Sequence, residues 1–171
     1  MMKYRFILHG ERCCACASCQ IGCQDLHNED PNGFHPGNRR IIHLEAACGN
    51  GSAEHIYGSA ACMHCEDAPC IRSCPKECIS RDTETGFVVY DNTGCIGCRL
   101  CRRACPYHVP QFRPDDGKMV KCDGCNDRIK SGLSPACVKA CPFGALECVP
   151  EDAYCPDFDA LPELMNRLKQ Q

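Results

Sequence analysis

The sequence predicts a small α+β fold built from one repeated, metal-stapled unit, and three observations lead to it. Cysteine dominates: 21 of 171 positions, well above the level at which cysteine content marks a structural class. Sixteen of these cysteines fall into four groups of four with recurring spacings. The ordinary core is thin, with no Trp, five Tyr and six Phe, so something besides apolar burial must hold a chain of this size.

Two staples are available, disulfides and metals. Disulfides need an oxidising compartment, and a secreted chain ordinarily starts with a signal peptide. Here the N-terminal apolar run stops after Phe6, Ile7 and Leu8, too short for a signal, and no stretch approaches transmembrane length. An odd cysteine total also fits a complete disulfide framework poorly. Metal is the staple the sequence favours. The net charge of −3 and the scatter of basic residues leave no nucleic-acid footprint, so neither DNA nor RNA is an expected partner.

The four groups are Cys13-x2-Cys16-x2-Cys19-x3-Cys23; Cys62-x2-Cys65-x4-Cys70-x3-Cys74, followed by Pro75; Cys95-x2-Cys98-x2-Cys101-x3-Cys105, followed by Pro106; and Cys122-x2-Cys125-x11-Cys137-x3-Cys141, followed by Pro142. The third matches the bacterial ferredoxin run that binds [4Fe–4S] clusters. Wrapping explains the spacing. Three closely spaced cysteines on a tight loop reach three iron corners of one cubane, and the fourth, starting a helix that leads away, reaches a neighbouring cluster. The proline after it suits a helix start, where a missing N–H costs nothing. Gly22, Gly97 and Gly124 lie in or beside the loops and let backbone N–H groups aim at sulfur. Structural zinc takes two Cys-x2-Cys pairs per tetrahedral site and gives no reason for a third cysteine at the next step, or for Cys-x3-Cys-Pro. The sixteen cysteines therefore predict four [4Fe–4S] clusters.

Along the chain, Tyr4, Phe6 and Leu8 alternate as a half-buried strand. Asn28 to Asn38 reads as a loop and Arg39 to Glu45 as another strand. Phe87-Val88-Val89-Tyr90 forms a strand between Gly86 and Asp91-Asn92. Leu161, Leu164, Met165 and Leu168 share one helical face, with Asp159 near the start and Pro162 in the first turn. The groups alternate, compact in one and three and expanded in two and four. Cys70-Ile71-Arg72-Ser73-Cys74-Pro75 also echoes Cys137-Val138-Lys139-Ala140-Cys141-Pro142, which marks an internal repeat. The short gap between groups two and three suits one two-cluster unit, with groups one and four pairing around it. Spacing alone also allows one with two and three with four.

The local text Cys62-Met63-His64-Cys65-Glu66-Asp67-Ala68-Pro69-Cys70, Gly94-Cys95-Ile96-Gly97-Cys98-Arg99, Cys105-Pro106-Tyr107 and Lys121-Cys122-Asp123-Gly124-Cys125 resembles the dimethyl-sulfoxide-reductase B type of four-cluster ferredoxin subunit, found in molybdopterin and tungstopterin oxidoreductases. The likeness spans roughly residues 4 to 150. It implies two nested ferredoxin-like 2[4Fe–4S] domains with a pseudo-two-fold repeat: residues 1–50 plus 116–150 outside, 51–115 inside, and a tail over 151–171 with a short helix. It implies ligand sets Cys13, Cys16, Cys19 with Cys141; Cys122, Cys125, Cys137 with Cys23; Cys62, Cys65, Cys70 with Cys105; and Cys95, Cys98, Cys101 with Cys74. Some relatives lack the second cysteine of group three and hold a three-iron cluster there; Cys98 is present, so four cubanes are expected. The family often continues further past the fourth group than this chain does.

Cys14, Cys48, Cys78, Cys148 and Cys155 fall outside the groups and read as small buried apolar residues. His64 sits in a group that already has four cysteines and reads as a non-ligand. Arg99, Arg102, Arg103, His108 and Arg113 read as a solvated face, the sharper alternative being a docking patch or positive charge that raises the nearby cluster potential. No dinucleotide fingerprint, P-loop or Cys-x3-Cys-x2-Cys radical motif is present. The expected function is therefore a non-catalytic wire carrying single electrons. The resemblance implies that it runs between a large molybdopterin- or tungstopterin-bearing catalytic subunit and an external donor or acceptor, a membrane anchor or a soluble carrier. Service to a hydrogenase or formate-oxidising complex is the alternative, and a zinc-stapled interaction protein the remote one. Assembly is expected in the cytoplasm, with export alongside a twin-arginine partner as a variant.

Overall fold

The computed structural model describes residues 3–27, 38–47 and 53–169. Most of the expected Asn28–Asn38 loop, and Cys48, lie outside the described residues. The fold is small and mixed, made of short helices and four two-stranded antiparallel sheets.

Strand β1 (Tyr4–Leu8) leads into group one, and helix α1 (Ser18–Leu26) carries Cys19 and Cys23. A hairpin follows, β2 (Arg40–Ala47) against β3 (Ala53–Ala60), with Ile42 opposite Gly58 and Leu44 opposite Ile56. The short helix α2 (Pro69–Arg72) holds Cys70. Strands β4 (Ile79–Arg81) and β5 (Val88–Tyr90) then pair, and α3 (Leu100–Ala104) holds Cys101. Strands β6 (Gln111–Phe112) and β7 (Met119–Val120) form the last hairpin. Helices α4 (Asn126–Lys130) and α5 (Ala136–Lys139) precede β8 (Leu146–Pro150), and α6 (Leu161–Lys169) ends the described residues.

Three long-range pairings organise these pieces. β8 returns to β1, with Phe6 opposite Cys148 and Leu8 opposite Leu146. α1 packs on α5, and α2 packs on α3. The first of these helix contacts is close: a Cβ on Gly22 would stand 2.9 Å from the Cβ of Ala140. Gly22 therefore serves helix–helix approach and not, as its place beside group one suggests, a loop.

The helices also correct the reading of Cys-Pro. Cys105 terminates α3, and Cys74 and Cys141 stand just beyond the ends of α2 and α5. In these three groups the fourth cysteine therefore ends a helix, and the proline stops it, because proline lacks the N–H that the next helical bond would use; Cys23 of group one lies inside α1. Each Cys-Pro then turns through a residue of positive φ: Glu77 (50°), His108 (50°) and Gly144 (60°).

The core is shared between aliphatic side chains and cysteine. One cluster joins Phe6, Leu8, Ile42, Leu44, Phe87 and Leu146 with Cys19 and Cys137; a smaller one joins Ile79, Val88 and Met119 with Cys70 and Cys101. α6 closes the larger cluster with Leu161, Leu164 and Met165, all buried. Asp159 fixes its start, accepting from the amides of Leu161 and Leu8, each at 3.0 Å. β3, β4, β6, β7 and β8 have no counterpart among the strands read from the sequence; in β3, Gly58 leaves the space that the Leu164 side chain occupies.

Candidate metal centre

Each cysteine loop repeats one backbone device. The residue before the second cysteine has positive φ in all four groups: Ala15 (57°), His64 (46°), Gly97 (65°) and Gly124 (76°). Ala17 and Arg99, both at 63°, follow the second cysteine in the two compact groups. Left-handed backbone at a non-glycine residue costs about 1–2 kcal/mol, and strain of this kind gathers at functional sites. The shape turns amide N–H groups toward sulfur. His64 and Gly124 donate to Cys62 and Cys122 Sγ at 3.4 Å, Cys78 to Cys74 Sγ at 3.3 Å, Ala145 to Cys141 Sγ at 3.2 Å, and Met119 to Cys95 Sγ at 3.3 Å.

Folding gathers cysteines from distant groups. One cavity, about 320 Å³ with its mouth, is lined by Cys13, Cys16, Cys19 and the far Cys141, and also by Cys14. A second of the same size is lined by Cys95, Cys98, Cys101 and the earlier Cys74, and also by Cys78. Burial pushes the Cys70 thiol up to about 11, and Cys62, Cys105 and Cys65 add to the rise as like charges. Burial likewise drives Cys122 well above the ordinary thiol range, with Arg39 opposing the rise and Cys62, Asp123 and Cys23 adding to it as like charges, and lifts Cys125 to about 11 beside Cys137. Burial alone produces such a rise, since Cys148 outside the groups is pushed up to about 12; a metal bound at the grouped thiols would have to displace their protons. Every described cysteine is free, so no disulfide competes for them among the described residues.

The separation of the thiols speaks to the kind of metal group. Four thiolates on one zinc stand about 3.8 Å apart, given Zn–S bonds of about 2.3 Å in a tetrahedron. Among the described residues, the trios of ligand atoms within 4.8 Å are His27–Asp123–Cys125 and the exposed His43–Glu45–His55; none is made of cysteines. No three described thiols are thus gathered as one tetrahedral zinc would need, and a cluster with a separate metal at each corner takes thiolates that stand further apart.

Two buried cations complete the site; Lys121 opens the run Lys121-Cys122-Asp123-Gly124-Cys125, which does not mark it as buried, and no local pattern distinguishes Arg39. Lys121 is 1% exposed, and its Nζ donates to the carbonyls of Val88 and, at 2.8 Å, Cys122. Arg39 is 3% exposed, and its guanidinium donates to Ser59 O and Oγ, both at 3.1 Å. Burial works against the Arg39 charge, but Cys137, Cys122, Cys19 and Cys23 more than offset it and raise its pKa. No carboxylate pairs with either cation among the described residues. A buried charge must be compensated, and anionic iron–sulfur clusters on the surrounding thiolates would supply that compensation. The residues fit the group.

The outer cysteines divide. Cys78 is buried, as expected of a small apolar residue, whereas Cys14 is exposed and Cys148 and Cys155 are half-buried. Part of the basic stretch is spent inside the fold: Arg102 donates to Pro110 O and Gln111 Oε1, Arg113 pairs with Asp116, and Arg99 lies over the Phe112 ring. A polar network binds the last group to the β4–β5 turn. The Thr85 hydroxyl donates to Asn126 Oδ1 at 2.6 Å, Asn126 Nδ2 donates to Asp82 Oδ2 at 3.1 Å, and Lys130 Nζ meets the same oxygen at 2.6 Å.

Comparison with known proteins agrees with this chemistry. Residues 53–150 match the family described as a 4Fe-4S dicluster domain. The B subunit of the anaerobic dimethyl sulfoxide reductase of Haemophilus influenzae is 38% identical over 89% of this chain and 76% of its own length. A thiosulfate reductase electron transfer subunit of Salmonella typhi is 41% identical over 82% of this chain and 73% of its own. A formate dehydrogenase-O iron–sulfur subunit of Escherichia coli is 31% identical over 78% of this chain and 49% of its own.

Proposed function

The protein belongs to the family of iron–sulfur electron-transfer subunits typified by the B subunit of anaerobic dimethyl sulfoxide reductase, and on that premise we propose that it holds four [4Fe–4S] clusters and relays single electrons. It is an electron-transfer subunit, not itself a catalyst. The proposed route runs between a large molybdopterin or tungstopterin catalytic subunit and an external donor or acceptor, either a membrane anchor or a soluble carrier. A cubane held by four thiolates has no open coordination position and passes one electron at a time.

The carrying observation is the pair of cavities in which Cys141 joins Cys13, Cys16 and Cys19, and Cys74 joins Cys95, Cys98 and Cys101. With Cys105 beside Cys62, Cys65 and Cys70, and Cys23 beside Cys122, it supports the four crossed ligand sets, the second completed by Cys125 and Cys137. The β1–β8 and α1–α5 contacts support an outer unit over 1–50 plus 116–150, and the β4–β5 and α2–α3 contacts an inner one over 51–115. In this reading residues 151–171 are a tail that α6 fastens to the outer unit. The protein's own part is to exclude water from the thiolates, donate N–H bonds to sulfur and place Lys121 and Arg39 among the clusters, the levers that set potential.

Assembly in the cytoplasm, with export beside a twin-arginine partner as a variant, belongs to this reading. No helix among the described residues is long and apolar enough to cross a membrane. The formate dehydrogenase relative favours a second reading, service to a formate-oxidising complex.

Anaerobic purification decides between them. A brown protein with about sixteen irons and matching acid-labile sulfide, co-purifying with a pterin-bearing subunit, is expected, and the identity of that subunit separates the two readings. Zinc without acid-labile sulfide would overturn both.

A further inference from the structure

His64 lies in the second cysteine group yet reaches into the fourth. Its backbone, at a φ of 46°, sends the amide N–H to Cys62 Sγ at 3.4 Å. Its ring Nδ1 accepts from the Val88 amide at 3.0 Å. That bond requires Nδ1 to be unprotonated, so the ring proton sits on Nε2. Nε2 stands 3.7 Å from Cys122 Sγ, and so donates to it. The Phe87 ring, centred 4.7 Å away, and the Phe6 ring at 6.2 Å hold the imidazole in this position.

We propose that His64 is a positioning residue that couples two metal centres: one side chain and its own backbone hydrogen-bond a thiolate of each, and the Nε2–H···Sγ bond raises the reduction potential of the centre ligated by Cys122. A hydrogen bond to a thiolate sulfur offsets negative charge, which the reduced cluster carries in greater amount, so the bond favours reduction. The same bond fixes how Cys62 and Cys122 stand relative to each other. This inference rests on the ligand sets proposed above.

The test is an EPR-monitored redox titration of the anaerobically loaded full chain. His64→Phe keeps a ring between Phe6 and Phe87 but removes the donor; His64→Gln keeps a donor near the Nε2 position. One midpoint should fall in His64→Phe, with the reduced-to-oxidised ratio at the wild-type midpoint dropping about tenfold, equivalent to ~59 mV for one electron. The other three midpoints should stay in place, and His64→Gln should recover most of the shift. If His64→Phe does not load, His64→Gln is compared with His64→Asn, whose shorter amide cannot reach Cys122. A midpoint lowered in Asn alone supports the proposal. Unchanged midpoints in every loaded variant, or failure of all three to load, would overturn it, the latter by making His64 merely structural. Cys122→Ala, which offers no donor atom, distinguishes failure of the premise: an iron content that stays at the wild-type value would mean that Cys122 is no ligand.

Discussion

Gly124→Ala would place a methyl group where the Phe87 ring already stands. The added Cβ would lie 2.4, 2.6 and 2.7 Å from Phe87 Cδ2, Cγ and Cε2. That ring is fully buried and cannot swing aside, because Phe6 faces it at 5.6 Å and His64 at 4.7 Å. Overpacking of this kind costs about 1–3 kcal/mol. The φ of 76° adds about 1–2 kcal/mol for a residue with a Cβ. A total of roughly 2–5 kcal/mol lowers the unfolding temperature of a chain this size by about 4–20 °C. Two other glycines separate the contributions. Gly132 has a φ of 71° but open space around it, so Gly132→Ala isolates the backbone part. Gly94 has open space and no positive φ, so Gly94→Ala should be nearly silent. The assay is an anaerobic thermal ramp that follows visible cluster absorbance at one scan rate, since irreversible loss is a rate. The expected order of loss is Gly124→Ala first, Gly132→Ala next and Gly94→Ala with the wild type. Gly124→Ala bleaching together with Gly132→Ala would mean that the Phe87 ring is no wall, and would refute this account of the fourth loop.

Three further outcomes are expected. Lys121→Met removes a buried cation, and at a dielectric of about 20 and a separation of about 7 Å that charge is worth roughly 2.4 kcal/mol, on the order of 100 mV per electron; redox titration should find a nearby midpoint lowered, and no downward shift would sink the compensation argument. Leu164→Ala empties the buried contact of α6 over Gly58 and should cost about 2–5 kcal/mol, read as earlier melting and faster proteolytic loss of the C-terminal helix. Burial opposes the Asp82 charge, but Lys130, the Thr85 and Glu84 amides and Asn126 outweigh it and hold the carboxyl below its usual range. A depressed folded pKa gives stability that is full above the ordinary carboxylate value of about 3.9 and is lost as pH falls through the folded value. The advantage of wild type over Asp82→Asn in denaturant should therefore be flat near neutrality and shrink below about pH 4; an advantage that grows on acidification would contradict it.

Much of the fold is legible in the residues. β1, β5 and α6 fall where alternation and helical spacing put them, within a residue or so. Where local pattern misleads, the deciding contact is distant. Gly22 reads as a loop glycine because its partner Ala140 is more than a hundred residues away. Cys-Pro reads as a helix start because proline suits both ends of a helix, and only the preceding turn of α3 shows which end is present. His64 reads as a bystander in its own group, yet its bond to Cys122 crosses from the second group to the fourth, and no local pattern encodes that.

Sixteen cysteines in four groups determine the staple by themselves, because whether three thiols can wrap one cubane is a property of a few adjacent residues. Tertiary structure alone decides which thiols face one cavity, which glycine is a packing surface, and where Lys121 and Arg39 lie buried without a carboxylate partner among the described residues. Those facts depend on chain closure between remote segments, and spacing along the sequence leaves that closure open.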